Sequence, residues 1–322
     1  MTRAARRVAI VGASGYLGQV LVRALSRDPR GIEGLLALDV KPATFDDPGR
    51  LVTYEELDVR SARLGEVIAE HQVDTVVHLA AVLNPPPGMS RNEQYAIDVD
   101  GTHNVMESCV EHGVAQVVVA SSSAAYGYHV DNPSWIDEHC PLRGNEEFAY
   151  SRHKRLVEEL LAKYRERHPE VQQLIFRPAT VLGRTTHNQV TDLFERRVLL
   201  KVARGDSRFV FIWDEDVASC IAMGIHERRV GAFNLAADGA MSTEEIAEVT
   251  GARVLSLPAG VLGTALRVLR WCGLTDLGPE HVPFLRYRPV LSNQALKREF
   301  GFTPRRTSHE VFAAYWRERT RD

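Results

Sequence analysis

A short apolar run that breaks directly into glycines constrains this chain more than any other feature. Arg7-Val8-Ala9-Ile10-Val11 is β-branched and apolar, the composition of a buried parallel strand. Gly12-Ala13-Ser14-Gly15-Tyr16-Leu17-Gly18 follows at once and opens a helical pattern from Gln19 to Ser26, with Leu17, Leu21, Val22 and Leu25 on one side. Glycines at a strand-to-helix turn permit the tight turn and let backbone approach a pyrophosphate, which the helix N-terminus attracts through its N–H groups and dipole. The spacing Gly-x-x-Gly-x-x-Gly is a variant of the usual dinucleotide fingerprint. A second apolar run, Leu35 to Leu38, ends at Asp39, 21 residues after Gly18. An acid there suits the adenine ribose hydroxyls and repels a 2′-phosphate, which favours NAD over NADP, although Lys41 puts a cation nearby. Asp39 also suits an ordinary turn at a strand end.

The alternation continues. Leu51 to Leu57 reads as a strand, Ala62 to His71 as a helix, Val73 to Leu79 as a strand and Glu93 to His112 as one long helix. Val117 to Ala120 is a strand ending in Ser121-Ser122-Ser123; Tyr150 to His168 is helical, and Val171 to Phe176 is a strand closed by Arg177-Pro178. This succession predicts an α/β chain: a Rossmann-type doubly wound parallel sheet with ligands at the carboxyl ends of its strands, and a smaller C-terminal α/β substrate cap. Residues 1–180 form the dinucleotide-binding domain, with crossovers to the cap, and 181–322 mainly the cap. In the cap, Arg208 to Ile212 and Gly231 to Leu235 read as strands, and Ser242-Thr243-Glu244-Glu245 as a capping box.

Composition narrows the class. At 322 residues and a net charge of −3, the chain offers no nucleic-acid field. No run approaches a membrane span, and Arg3, Arg6 and Arg7 lead into the first strand without a signal-type apolar region. Cys109, Cys140, Cys220 and Cys272 match no zinc or redox spacing and fit reduced thiols in the cytoplasm. The twelve histidines form no paired ligand spacing, so no metal is expected.

Among nine tyrosines and five lysines, Tyr150 is followed four residues later by Lys154. On a helix these positions share a face, where an ammonium stabilises an ionised phenol. A free phenol titrates near ~10, so a tyrosine acid/base catalyst needs such a neighbour.

From about residue 7 to residue 236 these ordered motifs resemble the extended short-chain dehydrogenase/reductases, the superfamily of UDP-galactose 4-epimerase. The resemblance implies that Gly12, Ser14, Gly15, Tyr16, Leu17 and Gly18 bind the dinucleotide with Asp39. It implies that Asp58 contacts adenine with Val59 beside it, and that Leu79, Ala80 and Ala81 of the His-Leu-Ala-Ala element line the ribose and nicotinamide. The Ser-Ser-x-x-Val-Tyr-Gly signature appears as Ser121 to Gly127, and its Tyr126-Gly127 register assigns the catalytic hydroxyl to Ser122. Tyr150 becomes the catalytic base and Lys154 its tuner and a ribose ligand. Pro178, Ala179 and Thr180 fall on the nicotinamide side. A homodimer through helices 93–112 and 150–168 is implied as well.

Two departures stand out. Asp98 occupies the position where this family usually carries asparagine, and Ser123-Ala124 replace the Asp-Glu pair of nucleotide-sugar 4,6-dehydratases, which argues against that activity. Asp214-Glu215-Asp216 suits a helix N-terminus and reads as structural. Arg286-Tyr287-Arg288-Pro289 stands near where nucleotide-sugar enzymes show Arg-Pro-Gly-Asp, so either arginine is a candidate anion ligand. Val261 to Cys272, including Leu262, Leu266 and Leu269, reads as an amphipathic helix: cap core, a wall for an apolar substrate, or a membrane-surface contact. Three functions follow: an NAD-dependent epimerase or dehydrogenase acting on a secondary alcohol, for instance of a nucleotide sugar; a dehydrogenase of a hydrophobic alcohol or ketone, like the 3β-hydroxysteroid enzymes; or a catalytically silent dinucleotide sensor.

Overall fold

A computed structural model describes residues 6–42, 51–203, 205, 207–273, 278 and 282–320; Arg3 of the basic start and the side chain of Leu269 lie outside this description. The chain divides into two units, residues 1–122, 153–177 and 214–233 in the first and residues 123–152, 178–213 and 234–322 in the second. The chain therefore passes between the units several times.

The first unit is built on alternating strands and helices: β1 (Arg6–Val11), α1 (Tyr16–Arg27), β2 (Ile32–Asp39), β3 (Val52–Glu56), α2 (Leu64–Glu70) and β4 (Thr75–His78). Then come α3 (Arg91–Tyr95), a π-helical turn (Ala96–Asp100), α4 (Gly101–Glu111) and β5 (Gln116–Ala120). α5 (Ala149–Arg167) and β6 (Gln172–Pro178) follow. The sequence periodicity predicts one helix over 93–112; the structure breaks it at the π turn, a feature that hydrophobic spacing conceals and that often marks a functional site.

The second unit contributes β7 (Thr180–Leu182), α6 (Gln189–Phe194), β8 (Val198–Val202), β9 (Arg208–Phe209) and β10 (Phe211–Trp213). α7 (Asp214–Glu227) returns to the first unit and leads into β11 (Gly231–Leu235). The remaining elements are β12 (Met241–Ser242), α8 (Thr243–Thr250), β13 (Arg253–Leu257), α9 (Ala259–Trp271), α10 (Val282–Arg286), a second π-helical turn (Leu296–Phe300) and α11 (Ser308–Arg319).

The main sheet has the order β11-β6-β5-β4-β1-β2-β3, and the pairs from β3 through β6 are parallel. Order reverses beside β1, so β1 and β4 flank the switch point where such sheets bind ligands. Gly231 to Leu235 is a strand as expected, but it joins this sheet instead of a cap. The expected strand Arg208 to Ile212 is split at buried Val210: β9 pairs with β12, whereas β10 pairs with β7. Val8, Ala9, Ile10, Val76, Val77, Val117 and Val118 are wholly buried, as strands covered on both faces require.

The second unit has its own core, in which Phe194, Phe211 and Phe312 meet at centroid separations of 5.1–5.9 Å. Ser242 caps α8 as predicted: its hydroxyl accepts from Glu245 N (3.1 Å) and the Glu245 carboxylate accepts from Ser242 N (2.7 Å). In α9, Leu262 and Leu266 are buried with Val202, whereas Val261, Val268 and Trp271 face outward. Core packing therefore accounts for Leu262 and Leu266.

Phe312→Ala removes a fully buried ring that packs against Phe194, Phe211 and Tyr315 and should lower the unfolding free energy by about 3–5 kcal/mol in urea titration. A loss below about 1 kcal/mol would show that the ring cluster does not hold this core.

Candidate active site

The three glycines of the first turn have different neighbours. Gly12 adopts φ +91°, and a Cβ there would lie 2.6 Å from Ala80 N; at Gly18 a Cβ would lie 2.2 Å from Gly12 O. Both are glycine because the protein's own backbone closes on them. At Gly15 a Cβ would meet only Gly12 O at 3.2 Å, so it is the least enclosed of the three and the one with most room for an incoming group. Gly15 is also the N-cap of twelve-residue α1 and supplies no side-chain cap. A glycine with such room at an uncapped helix N-terminus fits a dinucleotide pyrophosphate.

Asp39 ends β2 as predicted. One carboxylate oxygen accepts from Ser14 N (3.0 Å) and the other from Lys41 N (3.0 Å), so the acid serves its local turn and also ties that turn to the glycine loop. The Ser14 hydroxyl donates to Lys41 O (3.1 Å), and the Tyr16 phenol donates to Asp214 Oδ2 (2.5 Å). Burial holds the Asp214 carboxyl above the usual range. The Ser14 and Tyr16 side chains thus brace the loop, and Leu17 is half-buried behind it.

Asp58 forms a bidentate pair with Arg60 (2.9 and 2.6 Å), which holds its carboxyl below the ordinary range. Val59 points into the core, where its Cγ1 would lie 2.7 Å from a Cβ on Gly101. Leu79, Ala80 and Ala81 are half-buried at the carboxyl end of β4, with Leu79 N and Ala80 N both donating to Val11 O. His78, just before them, is buried. The Thr102 hydroxyl donates to Asp98 O (2.6 Å), so His78 Nε2–H donates to Thr102 Oγ1 (2.9 Å). His78 Nδ1 is buried without a partner among the described residues. Burial, and then the Lys154 charge, pull the imidazole down to about 3.

At the end of β5 the structure separates neighbouring serines. The Ser121 hydroxyl is buried and donates to Glu158 Oε1; Ser122 is half-exposed. Glu158 also receives Arg177 Nε (2.9 Å) and Nη2 (2.6 Å) in an ion pair with both side chains under 9% exposed. Lys154, buried one turn earlier on α5, donates to Ala120 O (2.8 Å), which brings its ammonium to the strand end that leads into Ser122. Next to Lys154, His153 Nδ1 meets Asp98 Oδ2 at 2.8 Å. Glu158 and His153 were not evident as site-supporting residues in the sequence: a lone charged residue in a helix has no local pattern that reveals a partner.

The second unit holds Tyr150, Pro178, Ala179 and Thr180. Tyr150 is half-buried on the first turn of α5, followed by Ser151, whose hydroxyl donates to Ala124 O (2.6 Å) and accepts from Asn145 N (3.0 Å). Ala179 N donates to Leu235 O and Thr180 N to Val210 O. In the same unit, the Arg288 guanidinium lies 4.1 Å from the Phe209 ring centre and 3.9 Å from that of Phe284. Its Nε and Nη2 are buried without partners among the described residues, and burial pulls it down to about 10, so it is cationic at neutral pH. Buried guanidinium donors without partners suit a bidentate anion.

The chain matches the model of the NAD dependent epimerase/dehydratase family over residues 8–236. An uncharacterized protein of Mycobacterium tuberculosis is 23% identical over 315 residues, covering 97% of this chain and 84% of that protein. UDP-glucose 4-epimerase of Halalkalibacterium halodurans is 26% identical over 272 residues, covering 75% and 78%. The fold is similar to that of the Thermus thermophilus UDP-glucose 4-epimerase in complex with NAD, with TM-score 0.72 and 21% identity over 97% of this chain and 98% of that one.

Gly15→Ala should leave the melting temperature nearly unchanged while weakening NAD binding at least about tenfold in calorimetry. Gly18→Ala should cost about 1–3 kcal/mol of stability, because backbone must move. Equal stability losses in both variants would remove the distinction. His78 sets a pH dependence. The unfolded imidazole takes a proton near 6.5, the folded one only near 3, so this contribution is complete above pH 6.5 and is lost as pH falls toward 3. The loss approaches about 4 kcal/mol over that window. His78→Gln should unfold with a shallower acid slope, and an unchanged slope would contradict the assignment.

Proposed function

The chain belongs to the NAD-dependent epimerase/dehydratase family, and on that premise we propose that it acts reversibly at a secondary alcohol carbon of a nucleotide-linked sugar, with Ser122, Tyr150 and Lys154 as its reacting set. Membership makes it an NAD-dependent enzyme. Bound at the glycine turn, NAD supplies the hydride acceptor for oxidation and the donor for the reverse step. The observation that carries the assignment is the carboxyl end of β5: Ser121 is engaged by Glu158, Ser122 is half-exposed beyond it, and the Lys154 ammonium is fixed on Ala120 O.

In this reading Ser122 Oγ hydrogen-bonds the reacting oxygen and orients it. The proton of the substrate hydroxyl passes to Tyr150 Oη in the oxidative direction and returns from there in reduction. Lys154 supplies a fixed positive charge and donors for the nicotinamide ribose. Gly12 and Gly18 shape the turn and Gly15 admits the pyrophosphate, Asp39 faces the adenine ribose, Asp58 and Val59 border adenine, and Leu79 to Ala81 with Pro178 to Thr180 line the nicotinamide end. Asp58 and Val59 would act there beside the Arg60 pair and through backbone, respectively.

Arg288 supports a phosphorylated substrate, because its buried Nε and Nη2 have no partner among the described residues and a guanidinium edge suits a bidentate anion. A hydrophobic alcohol is the second reading, favoured by the outward stripe Val261, Val268 and Trp271 of α9. Ser123 and Ala124 support hydride chemistry without dehydration. No helix among the described residues is long and apolar enough to cross a membrane. The proposal includes a cytoplasmic homodimer pairing through α4 and α5.

Tyr150→Phe should bind NAD within about twofold of wild type yet lose at least about 100-fold in turnover on UDP-glucose. Unchanged turnover would remove Tyr150 from the chemistry. Net accumulation of reduced nicotinamide absorbance during turnover identifies a dehydrogenase; a closed epimerase cycle shows none.

A further inference from the structure

Asp98 and His153 form a buried pair that the chemistry above does not use. Asp98 lies in the π turn between α3 and α4, 3% exposed, and His153 precedes Lys154 on α5 at 2% exposure. The two carboxylate oxygens have separate tasks: Oδ1 accepts from Val82 N at 2.8 Å, and Oδ2 meets His153 Nδ1 at 2.8 Å. The Tyr95 ring stands edge-on to His153 at 5.6 Å, and Thr102 fixes the Asp98 carbonyl from one turn later. Asp98 therefore joins three pieces of the first unit: the loop leaving β4, the π turn and the helical turn that carries Lys154.

Donor accounting shows what an aspartate does here that an asparagine could not. A carboxylate only accepts, so His153 must carry its proton on Nδ1. An asparagine has one oxygen, which Val82 N–H would claim, and its NH₂ would face His153 Nδ1 donor to donor. The imidazole would have to move its proton to Nε2 or turn away, and a buried donor left unsatisfied costs more than an average hydrogen bond contributes. The π turn gives the geometry, since its extra residue re-aims a side chain that a regular helix would place elsewhere.

We propose that Asp98 and His153 are positioning residues: the carboxylate fixes the Nδ1–H tautomer of His153 and thereby locks the loop Leu79 to Val82, on the cofactor side, against the turn of α5 that presents Lys154. This inference rests on the reading of that loop and Lys154 as cofactor ligands. Neither residue touches the reacting atoms; each acts through the backbone and helix it holds.

Asp98→Asn, and its combination with His153→Asn, test the pair in the full-length protein. In the double variant the two introduced amides can pair with each other, while the amide oxygen at position 98 still receives Val82 N–H. In wild type, nitrogen-15 NMR should show His153 protonated at Nδ1, and the Val82 amide should exchange slowly and shift when NAD is added. Asp98→Asn should move or lose the Nδ1–H signal and weaken NAD binding about tenfold in calorimetry, and the double variant should recover most of that affinity. A merely structural role would lower melting temperatures without this recovery. Asp98→Asn with wild-type affinity and an unchanged Nδ1–H signal overturns the proposal, as does a double variant as weak as the single. Should Asp98→Asn fail to fold, the wild-type spectra decide: Val82 and His153 signals unmoved by saturating NAD refute the lock. A wild type that binds no NAD at all is a different failure, that of the cofactor site itself.

Discussion

Everything at this site depends on how α5 is seated on the strand ends of the first unit. The helix offers three polar side chains to the interior within six residues, and each has a partner there: His153 on Asp98, Lys154 on Ala120 O, Glu158 on Arg177 and Ser121. Buried charges without partners would cost several kcal/mol each, so these contacts fix both the rotation and the height of the helix on the sheet. An apolar interface of the same size would hold α5 with less definition, because hydrophobic contact is non-directional. Charge is placed here to specify a position, and the Lys154 ammonium and the strand end at Ser121 inherit that position.

The same economy appears at the glycine turn. Gly12 and Gly18 are closed by the protein's own backbone, Gly15 is the least enclosed, and Asp39 braces the loop through Ser14 N while ending its own strand. Neutral His78 completes the arrangement. Its proton lies on Nε2 toward Thr102, and burial together with the Lys154 charge opposes a second one, so no competing cation forms behind the ammonium.

Much of this was legible in the sequence because the signals are local. The turn from β1 to α1, the strand ends at Asp39 and Ser121 to Ser123, the Ser242 capping box and the Tyr150 to Lys154 spacing all involve residues a few positions apart. What was hidden is what long-range pairing decides. Asp98 finds His153 from 55 residues away and Glu158 finds Arg177 across 19, and no periodicity announces either. The π turn escaped because one extra residue barely disturbs hydrophobic spacing over a long helix. Gly231 to Leu235 has strand composition, yet composition cannot say which sheet a strand joins, and Val210 breaks a run that alternation reads as continuous.

The central proposal is that Ser122 and Tyr150 act together on one substrate oxygen while Lys154 holds the nicotinamide ribose. A crystal structure with NAD and UDP-glucose bound measures this directly. The account predicts Ser122 Oγ and Tyr150 Oη both within about 3 Å of the same sugar hydroxyl, with Lys154 Nζ on the nicotinamide ribose. A sugar hydroxyl contacted by neither Ser122 nor Tyr150, or a nicotinamide lying away from the end of β5, would contradict it.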